Sequence, residues 1–174
     1  KWRGQPIAAE IVSEVRHEGF RLQNIILEVM PDFKIALHLY LPNEEAGAGP
    51  CVPIVCPCGH GPKWQADHQR VPQILARSGF AAALFDMPGC GHRIEGNDHG
   101  PQGAQSRMLG VWSNVFFLVD CIRVADYLET RDDITFEHGM GSTGVSGGGL
   151  TTLFLAHIDE RVRCTAPVCC TASL

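Results

Sequence analysis

Near the end of the chain one serine stands among glycines, Gly144-Val145-Ser146-Gly147-Gly148-Gly149. Glycine is a poor residue for the interior of either a strand or a helix, because it loses the most conformational freedom on folding. Its concentration at 144, 147, 148 and 149 therefore marks a point where two backbones come too close for side chains. The residues before it, about 142–145, read as a short strand, and those after it, about 147–157, read as a helix. A strand that turns directly into a helix commits the chain to βα units and a sheet with parallel strands.

The rest of the sequence agrees with that commitment. Ile25, Leu27 and Val29 alternate with Asn24, Ile26 and Glu28, and Ile35, Leu37, Leu39 and Leu41 alternate with Ala36, His38 and Tyr40. Period two predicts two strands. Met30-Pro31-Asp32-Phe33-Lys34 supplies a turn between them, so residues 22 to 41 are expected to form an antiparallel hairpin at one edge of the sheet, preceded by a polar stretch. A buried strand over Val52–Cys56 follows, then helical spacing over Trp64–Ser78 closed by Gly79, and a strand over Phe80–Phe85. Leu109–Leu128 predicts a helix whose apolar face includes Trp112, Val115, Phe116, Val119, Ile122 and Ala125. Val162–Cys169 predicts the last strand. With no internal repeat, residues 1–174 read as a single α/β domain.

Composition limits what such a domain does. At 174 residues and 45% hydrophobic content it can bury a substantial core. A formal net charge of −5 and the absence of a basic block argue against a nucleic-acid partner. No apolar stretch approaches the roughly 18 residues that a membrane span needs, so no membrane association is expected. The cysteines at 51, 56, 58, 90, 121, 164, 169 and 170 lie mostly in apolar runs with no CxxC pair. They are expected to be buried and reduced, which suits a cytoplasmic setting. The chain starts at Lys1 rather than Met, as a processed or partial product would.

Gly144-Val145-Ser146-Gly147-Gly148 matches G-x-S-x-G, the pattern of a nucleophile elbow. That turn holds its serine clear of the sheet, and the following helix aims its first amides at the same place, where they favour an oxyanion.

At the end of the first central strand, Cys58-Gly59-His60-Gly61 resembles the H-G-x-G-like loop of the α/β-hydrolase superfamily, with cysteine where histidine is frequent. The resemblance implies that the backbone amide of His60 joins that of Gly147 in an oxyanion hole. The other register would put Pro62, which has no N–H, at the donor position. Asp86-Met87-Pro88-Gly89-Cys90-Gly91 resembles the loop after the fourth strand, and Asp159-Glu160-Arg161-Val162 the approach to the sixth. The opening hairpin and Gly-Val-Ser-Gly-Gly-Gly are similar to acetyl xylan esterase-like and dienelactone hydrolase-like enzymes. The fold implied is a three-layer α/β-hydrolase with a mainly parallel sheet, incomplete before its last strands.

The function implied is hydrolysis of a carboxylic ester, short-chain acyl or acetyl, on a small-molecule or carbohydrate alcohol, through an acyl-enzyme on Ser146. It requires no cofactor and no metal. His92 and His99, on loops at the same edge, are the expected substrate contacts. In this superfamily the triad continues with an acid and then a histidine on later loops. Only 28 residues follow Ser146, and His157 would stand about 15 Å along the helix, too far to act. Asp159 and Glu160 lie at its far end. Acid and base are therefore expected beyond residue 174. The competing expectation is a hydrolase-like scaffold or binding fragment that performs no chemistry.

Overall fold

A computed structural model of the chain describes residues 5–43, 49–96 and 106–170. Its strands are β1 (Ala9–His17), β2 (Phe20–Met30), β3 (Phe33–Pro42), β4 (Pro53–Pro57), β5 (Ala81–Phe85), β6 (Met140–Val145) and β7 (Val162–Val168). Among the described residues the longer helices that cover them are α1 (Ala66–Arg77), α2 (Asn114–Glu129) and α3 (Gly147–Ile158), and a 3-10 helix, Gly91–Gly96, follows β5. The seven strands form one sheet in the order β1-β2-β3-β5-β4-β6-β7. β1, β2, β3 and β5 pair antiparallel, while β5, β4, β6 and β7 run parallel.

The alternating residues of β2 and β3 form the core as the pattern predicts. Ile25, Leu27, Val29, Ile35, Leu37, Leu39 and Leu41 are all buried. Each such side chain contributes about 1.5–3 kcal/mol relative to an exposed one. Every residue of β5 is buried, so both faces of the sheet are covered there. Helix α1 packs on β3 and β5, α2 on β2 and β4, and α3 on β6 and β7. Gly79 ends α1 as expected: at φ +93° it lets its own N–H reach Ala76 O and that of Phe80 reach Leu75 O, both at 3.0 Å.

Three expectations need correction. The hairpin is not the sheet edge, because β1 lies outside it, paired with β2 from Ala9↔Leu27 to His17↔Phe20. All nine residues of β1 are exposed, so the strand is held by its ladder and leaves no burial pattern to read. The long helix begins at Asn114 rather than 109, since Gly110 at φ +72° closes a separate helical turn before it. Its buried stripe is Phe117, Cys121, Val124, Ala125 and Leu128, so Trp112 and Val115 remain exposed. The stripe is displaced because Asp120 and Arg123 also face inward, Asp120 to Arg93 and Arg123 to Val29 O. Lastly, all eight cysteines are free, but only Cys56, Cys58 and Cys121 are buried; Cys164 and Cys169 on the β7 side are exposed. Among the described residues, no helix is long and apolar enough to cross a membrane.

Candidate active site

Parallel strands β4, β5 and β6 end at the same edge of the sheet, and their following loops meet around Ser146. This serine adopts φ 57°, ψ −117°, a strained conformation for a residue with a side chain. Its N–H donates to Val168 O at 2.8 Å, and its carbonyl accepts the Leu150 N–H at 3.0 Å, the first bond of α3. Tight backbone contacts on both sides hold the turn. A Cβ on Gly144 would stand 2.6 Å from the Gly148 carbonyl carbon, and one on Gly148 would strike Pro57 O. The glycines thus let β6 and the start of α3 press against the end of β4.

The loop after β4 lies directly on that turn. A Cβ on Gly59 would collide with the Val145 carbonyl oxygen. His60, selected in the sequence for its backbone amide, also brings its ring to the serine: Nδ1 is 2.5 Å from Ser146 Oγ. The same ring passes over Gly147, where a Cβ would be 3.4 Å from it. Ser146, His60 and Gly147 are therefore assembled in one place. As the first residue of α3, Gly147 has an N–H that no bond within the helix can use.

His92 lies on the neighbouring loop after β5, its side chain exposed and its Nδ1 2.7 Å from Lys63 Nζ. His99, and Asp98 beside it, lie outside the described residues. Among the described residues no group of three or more His, Cys, Asp or Glu is placed to hold a metal ion. His157 is exposed in the last turn of α3. Asp159 is buried and bound by Arg161, Nη2 to Oδ2 at 2.6 Å, which ties the end of α3 to β7.

Sequence reasoning missed Lys63. It is fully buried, its Nζ donating to Asp86 Oδ2 at 2.6 Å while its backbone N–H donates to Asp86 Oδ1 at 2.6 Å. The His92 N–H donates to Asp86 Oδ2 at 3.2 Å. Gly91, at φ +57°, leaves the space this carboxylate occupies, since a Cβ there would overlap it. Asp86 thus joins the loop bearing His60 to the loop bearing His92. The run from Asp86 to Gly91 was the available signal; nothing nearby in sequence announced a lysine as its partner. His38, on β3, faces this cluster and is pushed down to about 4, first by burial and then by the Lys63 charge.

No family model matches the chain. A curated relative, "Putative hydrolase YtaP" of Bacillus subtilis (strain 168), is 22% identical over 179 residues, covering 95% of this chain and 58% of that protein. Among solved structures, "Methylesterase BT1017" is similar with a TM-score of 0.80 and 26% identity, over 98% of this chain and 37% of that one. An acetyl xylan esterase from Paenibacillus sp. R4 is similar with a TM-score of 0.74 and 18% identity, over 94% of this chain and 54% of that one. The chain thus spans little more than half the length of the curated relative and about a third to a half of these solved structures. Its sheet and helices have the α/β-hydrolase fold of these esterases, in agreement with the resemblance in its sequence.

Proposed function

We propose that this α/β-hydrolase fold belongs to a carboxylic ester hydrolase that forms an acyl-enzyme on Ser146. The observation that carries the reading is the strained turn of Ser146, at φ 57° and ψ −117°, with the His60 loop pressed against it. A protein keeps such strain where the surrounding structure over-determines it, and a serine raised from a strand–helix turn is positioned to attack a carbonyl. The likeness to an acetyl xylan esterase and a methylesterase supports an ester as substrate, and the former supports a carbohydrate alcohol.

In this reaction Ser146 Oγ bonds to the acyl carbon as its proton passes to a base. The carbonyl oxygen becomes an oxyanion, held by the N–H groups of Gly147 and His60. Its collapse breaks the bond to the alcohol oxygen, which leaves with the proton, and water then releases the acid by the reverse sequence. The base and its orienting acid are assigned to chain beyond residue 174. The contact of His60 Nδ1 with Ser146 Oγ favours a second reading, in which this imidazole takes the proton itself.

The test is hydrolysis of 4-nitrophenyl acetate and acetylated xylan by the complete protein and by Ser146→Ala. Loss of about 10⁶-fold in kcat is expected, as for removal of a nucleophile in well-studied triads. Hydrolysis that survives this change would refute Ser146 as the nucleophile, and no hydrolysis by the unsubstituted complete protein would leave only the scaffold reading. The 174-residue chain alone separates the two bases. At most a residual rate about 10³ to 10⁴ over water is expected of it, whereas full turnover would make His60, His92 or His99 the base, and single replacements of these three would identify which.

A further inference from the structure

Beyond His60 the same loop carries two side chains that the ester chemistry leaves unused, Lys63 and Trp64. The Lys63 ammonium has donors and no acceptor, so in its 2.7 Å contact with His92 the ring nitrogen Nδ1 accepts. In that contact Nδ1 carries no proton, which leaves the ring N–H at Nε2; Asp86 Oδ2 stands farther from Nδ1, at 3.5 Å. Nε2 lies across the ring from Nδ1, and 61% of the His92 side chain is exposed. A buried ion pair thus fixes one tautomer of an exposed histidine and presents one hydrogen-bond donor outward.

Trp64 stands beside that donor. Its ring meets the His92 ring at 64° with centroids 5.0 Å apart, and 52% of the residue is exposed. Both belong to the edge that holds Ser146. Cys90 Sγ, two residues before His92, lies 3.6 Å from Gly59 O, and Gly59 rests on the Val145 carbonyl. Lys63 Nζ lies over the Trp64 ring, 6.0 Å from its centroid, and the indole is otherwise half-exposed. Such an indole next to one fixed N–H matches a pyranose ring, whose flat C–H face covers an aromatic surface while a hydroxyl accepts the hydrogen bond. Lys63 and Asp86 cancel each other's charge, so the match is to a neutral sugar rather than a uronate.

We infer that Trp64 and His92 form a subsite for a neutral pyranose ring beside Ser146, with Lys63 and Asp86 as the positioning residues that fix His92. Assigning that sugar to the alcohol half of the ester rests on the reading of Ser146 as nucleophile; the binding of sugar does not.

The experiment is calorimetric titration of the complete protein bearing Ser146→Ala with xylotriose, and with sorbitol as an acyclic polyol that has no flat ring face. Xylotriose binds and sorbitol does not at the same concentration. Adding Trp64→Ala weakens xylotriose about tenfold, the loss expected of an aromatic platform worth about 1.4 kcal/mol, and Trp64→Phe retains most of the affinity. His92→Ala costs about fivefold, one hydrogen bond, and His92→Gln, which keeps a donor, recovers part of it. Trp64 is half-exposed, so its variants fold. Absence of xylotriose binding, equal binding of sorbitol, or an unchanged affinity in Trp64→Ala overturns the subsite. Because no ester is cleaved in this measurement, a subsite that survives alongside hydrolysis that does not depend on Ser146 would refute the function and spare the inference.

Discussion

Lys63 and Asp86, 23 residues apart, make a fully buried ion pair of 2.6 Å that joins the loop after β4 to the loop after β5. Neither charge has water to fall back on. Removing one partner leaves the other uncompensated in a low-dielectric site, at a cost of about 3–5 kcal/mol. Lys63→Met should lower stability to urea by that amount. Asp86→Ala should cost more, because it also releases the backbone N–H groups of Lys63 and His92. The double variant should lose less than the sum of the two, and strictly additive losses would show that the residues act separately.

That pair also marks where the sequence stops being legible. Strands β2 and β3 could be read because their burial follows a period of two, and the Ser146 turn because close backbone approach leaves a signature of glycines. β1 could not, since a strand exposed on both faces has no pattern beyond its ladder. In α2 the reading found a helix but misplaced its buried stripe, because Asp120 and Arg123 count as polar in a pattern search yet turn inward to partners distant in sequence. Lys63 escaped for the same reason. The assembly of Ser146, His60 and Gly147 was foreseeable from the strand order of the fold, whereas the position of the His60 ring depends on side-chain packing that spacing does not encode.

Gly147 and Gly148, adjacent in the turn, should respond oppositely to alanine. A Cβ on Gly148 would strike Pro57 O and stand 2.8 Å from Cys58 O, backbone atoms that cannot swing aside. Gly148→Ala should therefore lose about 1–3 kcal/mol by overpacking and separate the β4 loop from Ser146. A Cβ on Gly147 meets only the His60 ring, at 3.4 Å, and removing a helical glycine gains up to about 1 kcal/mol. Urea unfolding of both variants tests the contrast; equal losses would mean that the contact with Pro57 does not constrain the turn.

The cysteines divide by exposure rather than position. Burial pushes Cys56 up to about 12 and raises Cys58 and Cys121 as well. These thiols are both hidden and poorly ionised, and the thiolate is the reactive form. With a maleimide at pH 8 under native conditions, Cys164 and Cys169 of the 174-residue chain should label first, and Cys56, Cys58 and Cys121 only on unfolding. Mass spectrometry of partly labelled protein would show the order. Early labelling of Cys121 would contradict the packing of α2.

A half-buried histidine and a buried aspartate make stability depend on pH in opposite senses over one window. His38, whose Nδ1 is buried with no partner among the described residues, is pushed from 6.5 down to about 4 by burial first and the Lys63 charge second. As pH falls through that interval the unfolded chain takes up a proton that the folded chain refuses, so this contribution to stability is lost on acidification. Asp120 behaves inversely. Burial pushes it from 3.8 up to about 6, outweighing the pull of Arg93. Between those values the folded chain keeps a proton that the unfolded chain releases, so this contribution is fully present below pH 3.8 and is lost as pH rises to 6. In the parent protein the two slopes partly cancel. Relative to it, Asp120→Asn should steepen the loss of stability from pH 6 to pH 4, and His38→Gln should flatten that loss or reverse it. Urea unfolding at half-unit steps across this interval reads both slopes. Parallel curves for the parent and the two variants would show that neither group changes its protonation on folding.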